Sequence, residues 1–427
     1  MPENNQHRVV FTKEMRKDYT ILAPMMLPIH FALIKNVMVN AGYKLEFLTN
    51  SSRQVVEEGL KYVHNDTCYP ALLVTGQMID ALNSGKYDLS KTALIMTQTG
   101  GGCRASNYIH LMRKAFAKAG YGDLPVISAN LSGLEENPGF QITLPMIRKI
   151  VAAAIYGDML MLLSNQTRPY EVEKGSADAL VQRWVNVLTD QFSNGDGLNF
   201  SSMRRNLDNI AASFAELEIV RTPKVRVGIV GEIYVKYSAL ANNDLEKFLA
   251  SQDCEVMVPG VLNFAMFKVD NRLEDHKLYG GSVFKYTGVS ALMALLLRME
   301  KEFLEALKPY PQFVPPSSYH HLKGLVKDVI GYGTKMGEGW LLTAEMVELI
   351  QNGYGNIVCA QPFGCLPNHI VGKGMVHRLR ELYGDAANIV SIDYDPSATK
   401  VNQENRIKLM LAVARERTVK KKQLQAV

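Results

Sequence analysis

Three of the five cysteines in the chain stand in loop contexts that a polypeptide normally fills with Gly, Asn or Asp. Cys68 precedes a Tyr-Pro pair, Cys103 follows three glycines, and Cys365 lies between two prolines. A cysteine that serves as a small hydrophobic residue belongs inside an apolar run, whereas these three are presented by loops. Three presented thiols predict a metal centre with one coordination position left open, which is typical of a catalytic iron–sulfur site rather than of a purely electron-carrying one.

The other two cysteines lie in short apolar runs. Cys254 opens the run CEVMV, which predicts a strand, and its thiol is expected to pack in the core. Cys359 ends the run NIVC, six positions before Cys365. Core packing is the first interpretation of Cys359. A role as a further metal ligand, or as a neighbour of the metal centre, is the second.

The loop around Cys103 combines glycines at 100–102 with Arg104. Backbone amides at a helix start attract anions, so one interpretation is a phosphate cradle, but neither the Walker spacing nor the Gly-x-Gly-x-x-Gly spacing is present. The same amides would stabilise thiolate and sulfide charge and tune the reduction potential of a cluster. Arg104 is the candidate catalytic residue, because its fixed charge would stabilise a reduced cluster or a substrate anion; a surface ion pair is the alternative.

Two other kinds of site, a zinc site and a nucleophilic Cys–His pair, would use only some of the loop cysteines and their histidine neighbours. His64 and His369 neighbour two of the thiol loops, but a zinc site of Cys and His usually shows a Cys-x-x-Cys pair, and the sequence has none. A nucleophilic Cys–His enzyme needs one special cysteine. It would leave the other two loop cysteines without an explanation.

Short apolar strands alternate with amphipathic helices over residues 1–165, and a second alternating region begins near residue 223. Such alternation predicts right-handed βαβ units and parallel sheets. We therefore predict an α/β protein with an N-terminal domain (1–165) that carries Cys68 and Cys103, a helical linker (166–222) and a C-terminal domain (223–427) that carries Cys365. Parallel sheets place ligands beyond the carboxyl ends of their strands, so the thiol loops are expected to face each other across an interdomain cleft.

The composition predicts a globular protein of the cytoplasm. Of 427 residues, 47% are hydrophobic and 21% are charged, and the formal net charge of +5 is too small to indicate a nucleic-acid binder. The basic cluster at 415–422 favours a solvated helix end. The polar first 16 residues predict no secretory signal, and the apolar stretch 150–163 is too short to cross a bilayer. An odd number of cysteines argues against a disulfide framework and for a reducing compartment.

Four segments give the chain a specific resemblance to a known family. With them the chain resembles the 2-hydroxyacyl-CoA dehydratase superfamily, and most closely the dehydratase-like module of acyl-CoA dehydratase activase-related proteins. The resemblance extends from about residue 19 to about residue 411. The segments are YVHNDTCYP at 62–70, QTGGGCRA at 98–105, VGIVGEIY at 227–234 and QPFGCLPNH at 361–369.

The resemblance implies two flavodoxin-like α/β domains and a cluster, expected to be [4Fe-4S], held by three cysteines, which here would be Cys68, Cys103 and Cys365. It also implies a partner, an ATP-hydrolysing activator protein with an actin-like fold. In the family's lyases this activator delivers one low-potential electron through the cluster to a thioester carbonyl, and a ketyl radical then expels water. An open iron suits this chemistry, because it binds the thioester oxygen as a Lewis acid.

The chain also departs from the family pattern. Family enzymes pair two related subunits, so a homodimer is expected to take the place of the heterodimer, and no CoA-binding motif is recognised. Some relatives carry an [8Fe-9S] double-cubane cluster and reduce small molecules without a CoA thioester, and Cys359 keeps this oxidoreductase alternative open. A third interpretation is a non-catalytic iron–sulfur carrier or accessory protein. The sequence does not select a substrate.

Overall fold

The computed structural model describes residues 8–64, 67–98, 101–130 and 134–425, with residues 420–425 described by their backbone alone. It divides into two compact units, 1–150 and 151–427. Each unit contains one four-stranded sheet, and every strand pairing in both sheets is parallel. The predicted α/β fold class with two parallel-sheet domains is therefore confirmed. No helix within the described residues is long and apolar enough to span a membrane.

The first unit is built on a sheet with the strand order β2-β1-β3-β4. Its strands are β1 (Thr20–Pro24), β2 (Lys44–Leu48), β3 (Thr92–Thr97) and β4 (Val126–Ala129). Its helices are α1 (Met15–Asp18), α2 (Pro28–Asn40), α3 (Arg53–Tyr62), α4 (Tyr69–Asn83), α5 (Tyr108–Lys118), the start of α6 (Leu144–Thr167), and 3-10 turns at Leu89–Lys91 and Arg104–Asn107. This strand order is that of a flavodoxin-like sheet. Strand β2 lies on one side of β1 and the later strands β3 and β4 lie on the other, so the order of strand addition reverses between β1 and β3.

The second unit repeats the order in a sheet β6-β5-β7-β8. Its strands are β5 (Val225–Gly231), β6 (Cys254–Met257), β7 (Asn356–Pro362) and β8 (Asn388–Tyr394). Its helices are α7 (Ser176–Asn194), α8 (Phe200–Ala215), α9 (Ile233–Tyr237), α10 (Ala239–Asn242), α11 (Leu245–Ser251), α12 (Val261–Tyr279), α13 (Val283–Leu307), α14 (Tyr319–Gly324), α15 (Trp340–Gln351), α16 (Leu366–Val371), α17 (Val376–Tyr383) and α18 (Lys400–Gln425). Three 3-10 turns complete it, at Arg168–Tyr170, Lys373–Met375 and Gly384–Ala386.

The strands are apolar because both faces of each sheet are covered. In β7 every residue after Asn356 is buried, and β6 is buried throughout. A parallel sheet covered by helices on both faces needs such continuous apolar runs. The same burial explains why short apolar stretches in the sequence predicted the strands.

A glycine pair brings α3 and α4 into close contact. A Cβ atom at Gly76 would lie 2.0 Å from the carbonyl oxygen of Val55, and one at Gly59 would lie 2.5 Å from that of Leu72. Two helix backbones approach so closely only where both lack a side chain. This contact fixes the position of α4 and therefore of Cys68, which directly precedes it.

The compact units divide at Ile150, earlier than the predicted boundary at residue 165. The physical reason is that α6 packs with the second unit over most of its length. Its Asp158 carboxylate accepts hydrogen bonds from the backbone N–H groups of Val261 and Leu262 (both 2.9 Å) at the start of α12. The helices α7 and α8 of the predicted linker also lie in this unit, where α8 packs against α13.

Candidate functional site

All three loop cysteines occupy the N-cap position of a helix. Cys68 precedes α4, Cys365 precedes α16, and Cys103 precedes the 3-10 turn that continues into α5. In none of the three does the side chain accept a hydrogen bond from a backbone N–H group of its own helix. A helix start carries partial positive charge and unpaired N–H groups, which stabilise negative charge on a sulfur atom. The sulfur atoms are therefore placed for chemistry rather than for capping.

Cys103 lies beyond the carboxyl end of β3, at the edge where the parallel-sheet rule predicts a site. Gln98, which follows β3, donates its backbone N–H to Ala129 at the end of β4 (3.0 Å), and its side-chain amide donates to the Ser106 carbonyl (3.3 Å). The Ser106 hydroxyl donates to the Cys103 carbonyl (2.8 Å). Of the glycine triplet, Gly100 lies outside the described residues, and Gly101 and Gly102 are exposed.

Cys68 lies on the same side of the first sheet. The Gln77 amide of α4 donates to the carbonyl of Asn50, two residues past the end of β2 (2.9 Å). Further along the chain, the Tyr87 hydroxyl donates to Glu46 inside β2 (2.7 Å). After Gln77 the chain thus runs from the carboxyl edge toward the amino edge, so Cys68, at the start of α4, lies toward the carboxyl edge. The neighbouring residues 65 and 66 lie outside the described residues.

Cys365 follows β7 at the topological switch point of the second sheet, between β5 and β7. The strand β5 ends at Gly231, whose φ is +146° and whose Cβ, if present, would lie 1.8 Å from the Ala360 carbonyl oxygen of β7. The next residue, Glu232, donates its backbone N–H to the same carbonyl (3.1 Å). Only glycine fits at this position, and it brings the loop after β5 against the loop that carries Cys365.

One buried carboxyl group joins these two loops. Glu338, which is 7% exposed, accepts the backbone N–H of Ile233 at Oε1 (3.0 Å) and the side-chain amide of Asn368 at Oε2 (2.8 Å). The same Nδ2 atom of Asn368 lies 3.4 Å from the Sγ atom of Cys365, within hydrogen-bond reach of sulfur. Asn368 is fully buried. The amide therefore sets the environment of the thiol, and Glu338 fixes the orientation of the amide.

Glu232 is the second carboxyl group of the site. Burial raises its pKa well above the usual value, and the nearby Glu338 and Cys365 raise it further, although part of its surface remains accessible. The backbone N–H of Val235 donates to Glu232 Oε2 (2.9 Å) and opposes the shift. Three acidic groups thus converge at the carboxyl edge of the second sheet.

The other side of the Cys365 loop is tied to β8. The Gln361 amide donates to Asp393 Oδ1 (2.5 Å), and Lys373 Nζ lies 3.2 Å from Asp393 Oδ2. His369 Nδ1 lies 3.4 Å from Gln361 Nε2. Within the described residues, the buried amide oxygens of Gln361 and Asn368 have no hydrogen-bond partner. Buried polar atoms are normally paired, so a bound group at this loop would complete its hydrogen bonding.

The remaining sequence candidates lie elsewhere. Cys359 is fully buried in β7, and burial raises the pKa of its thiol to about 12. Burial likewise raises the pKa of Cys254 to about 11. Arg104 is exposed and makes no ion pair with another described residue. Within the part of the chain that the structure describes, no group of three or more His, Cys, Asp or Glu side chains is arranged to hold a metal ion.

Sequence reasoning missed the roles of Glu232, Glu338 and Asn368. Glu338 immediately precedes Gly339, the N-cap residue of α15, but its carboxyl group binds the start of α9 and Asn368 instead of its own helix. Each of the three residues belongs to a short Gly- or Pro-containing segment in the sequence. The glycines and prolines of these segments were the sequence signal that could have identified the three residues.

The chain matches no protein-family model, and no curated protein is significantly similar to it. The fold and the site define an α/β protein with a thiol and two carboxyl groups at the switch point of its second sheet. The resemblance to the dehydratase superfamily stays a prediction.

Proposed function

We propose that the chain is an iron–sulfur protein of the 2-hydroxyacyl-CoA dehydratase type, with Cys68, Cys103 and Cys365 as thiolate ligands. The observation that supports the proposal is the shared position of these residues, each at the N-cap of a helix. Ser, Thr, Asp and Asn are the residues preferred at an N-cap. Three cysteines there, none of which caps a backbone N–H group of its own helix, favour a chemical role for sulfur.

The surroundings of Cys365 suit a thiolate ligand. N–H groups aimed at sulfur stabilise thiolate charge and tune the reduction potential, and Asn368 supplies one to Cys365 at 3.4 Å. When bound, the cluster would supply a low-potential electron and an open iron that polarises a carbonyl oxygen. Cys359 lies fully buried inside β7 and not in a loop, a position typical of a core thiol, and this favours [4Fe-4S] over [8Fe-9S]. Dehydratase-type lyase chemistry is accordingly preferred to reduction by a double-cubane cluster.

The partners belong to the same proposal. A reductively activated cluster needs an electron source, and the resemblance supplies an ATP-hydrolysing activator protein with an actin-like fold. A homodimer is the simplest arrangement for a chain of this type, because closed two-fold pairing is the commonest oligomer. Arg104 would act on the charge of the reduced cluster or of a substrate anion. Arg104→Leu is then expected to lower the reduction potential while iron stays bound.

The test is iron and acid-labile sulfide analysis after anaerobic purification, with EPR of the reduced protein. We expect about four irons per chain and loss of most of this iron in Cys68→Ser, Cys103→Ser and Cys365→Ser. Cys254→Ser is the matched control, because Cys254 is a buried core thiol, and it should keep its iron. Equal iron in the native chain and in Cys103→Ser would overturn the ligand assignment.

Two further readouts separate the alternatives. Loss of iron in Cys359→Ser, together with about eight irons per chain, would favour the double-cubane reductase. A protein with bound iron that turns over neither acyl-CoA thioesters nor small unsaturated substrates in the presence of an activator and ATP would be a carrier or accessory protein. Turnover of a 2-hydroxyacyl-CoA would support the dehydratase.

A further inference from the structure

The helical hairpin formed by α12 and α13 exposes a large apolar surface. Around its turn Phe284 is 88% exposed, Tyr279 78% and Val283 71%. With about 150–250 Å² for each aromatic side chain, Tyr279 and Phe284 alone leave about 300 Å² of apolar surface in water. That reaches the size of the largest apolar patch on a typical monomer, about 300–600 Å². Such a patch indicates an interaction surface.

The exposure continues along the first half of α13, whereas the second half packs in the core. Met293, Leu296 and Phe303 are buried, and the helix packs against α8 and α12. Leu292, one helical turn before Leu296, and Leu295 are nevertheless 41% and 42% exposed. The first half of α13 therefore carries apolar side chains that remain in contact with water. An apolar helix surface of this kind needs a partner to bury it.

The exposed face has a symmetric pattern. Phe284, Gly288, Ala291 and Leu295 are all exposed and are spaced by four, three and four residues, so they lie on one side of the helix. We call these four residues the α13 stripe. The order of their sizes is large, small, small, large. The stripe therefore has the same size order when it is read in either direction along the chain.

We propose that the α13 stripe pairs with the stripe of a second copy of this chain, the two helices packing antiparallel about a two-fold axis. In this pairing Phe284 of each protomer faces Leu295 of the other, and Gly288 faces Ala291. The small residues lie at the crossing, where they let the helix backbones approach closely, and the large residues pack at both ends. A C2 interface must be complementary to itself, and a pattern of this symmetry meets that requirement.

The size and polarity of the surface fit a stable dimer. The stripe contains no charged residue, and Arg298, which follows it on the same face, is already paired with Glu302 (2.9 Å). The exposed residues Leu278, Tyr279, Val283 and Leu292 flank the stripe and would add apolar area at its edges, toward the roughly 800 Å² per partner of a standard interface. Surfaces of this apolar kind are typical of permanent homodimers rather than of transient electron-transfer partners. The inference holds whether or not the chain carries a cluster.

Sedimentation velocity and light scattering on the full chain test the proposal. We expect twice the 47.6 kDa chain mass for the native protein. Ala291→Arg and Leu295→Glu should raise the dimer dissociation constant by about 100-fold or more, because each buries an unpaired charge at the interface. Lys301→Glu is the matched control, since Lys301 is exposed on α13 outside the stripe, and it should stay dimeric. Circular dichroism should show native helix content in every variant.

Cysteine cross-linking tests the antiparallel arrangement. In a background in which the three partly exposed loop cysteines are replaced by serine, the double variant Phe284→Cys/Leu295→Cys should give a covalent dimer on oxidation, whereas each single variant should give none. Within one protomer the two positions stand about 16 Å apart along the helix, so they cannot bond to each other. Covalent dimers from the single variants would indicate parallel helices and overturn the proposed geometry. A native protein that is monomeric, or a dimer that survives both charged substitutions, would show that the α13 stripe is not a dimer interface.

Discussion

Replacing Asn368 by Leu removes the amide that connects the Cys365 thiol to Glu338. Asn368 is fully buried, and its Nδ2 atom lies 2.8 Å from Glu338 Oε2 and 3.4 Å from Cys365 Sγ. Leucine branches at Cγ as asparagine does but has no hydrogen-bonding group, so the substitution keeps the branched shape of the side chain while both hydrogen bonds are lost. Glu338 keeps its contact with the Ile233 N–H but loses its second partner.

The size of the effect follows from that lost partner. A hydrogen bond to a carboxylate contributes about 1.5–3 kcal/mol, and a buried acceptor left without a donor costs a similar amount. We therefore expect the free energy of unfolding of the second unit to fall by about 2–3 kcal/mol. Glu338→Gln in the same background should recover part of this loss, because it removes the buried charge. The coupling between the two substitutions should exceed about 0.5 kcal/mol, as for residues in direct contact.

Urea denaturation followed by tryptophan fluorescence measures this loss of unfolding free energy in the second unit, which contains Asn368. The two tryptophans of the chain, Trp184 and Trp340, both lie in the second unit. The signal therefore reports that unit alone, and Trp340 is two residues from Glu338. Additive effects of Asn368→Leu and Glu338→Gln, or a loss below about 0.5 kcal/mol, would refute the hydrogen-bond network, because contacting residues couple more strongly than this.

Three further predictions concern the same unit. Burial raises the pKa of Glu348 to about 7, so this residue's contribution to the stability of the folded unit is greatest below the ordinary glutamate pKa and is lost as pH rises through 7. Glu348→Gln should therefore stabilise the unit at pH 8 by about 1–3 kcal/mol, measured by urea denaturation. Asp158→Ala removes the carboxylate that binds two N–H groups at the start of α12 and should cost about 2–3 kcal/mol in the same assay. Gly231→Ala forces a Cβ to within 1.8 Å of a carbonyl oxygen at a φ of +146° and should cost more than about 4 kcal/mol, seen as loss of the cooperative unfolding transition.

Each prediction has its own control. At pH 4.5 the Glu348→Gln variant should match the native protein, and an equal gain at both pH values would contradict the titration argument. Asp190, which is exposed on α7, provides the control for Asp158, and a similar loss in both alanine variants would count against the capping role. Gly324 has open space around its Cα atom, so Gly324→Ala should be tolerated. A cooperatively folded Gly231→Ala protein would show that the close approach of β5 and β7 is not required.

The sequence predicted the sheets well because their strands depend on local composition. A short apolar run such as residues 356–360 becomes a buried strand in either kind of sheet, and the intervening helices make the sheet parallel. Prolines just inside the first turns of α4 and α16 also mark the start of each helix after its cysteine. The loop position of these thiols was therefore readable from the chain itself.

Other features depend on contacts between distant segments and were not predictable. The start of α12 cannot be read from its own residues, because it is capped by the Asp158 carboxylate, which lies 103 residues earlier in the chain. The packing of α6 and not its sequence likewise assigns most of this helix to the second unit. Glu338 is joined to Ile233 across 105 residues, and no local pattern records such a pairing.

The bond between Glu338 and the Ile233 amide makes that amide a remote sensor of the thiol site. Amide resonances respond to the charge of the group that accepts their hydrogen bond, and here the acceptor is linked through Asn368 to the Cys365 sulfur. Ligation or oxidation of the sulfur would therefore move the ¹⁵N signal of Ile233 through this chain of hydrogen bonds. Because the probe belongs to the backbone, it can be read in the native chain without a label at the site. Spectroscopists could then follow occupancy at Cys365 separately from events at Cys68 and Cys103.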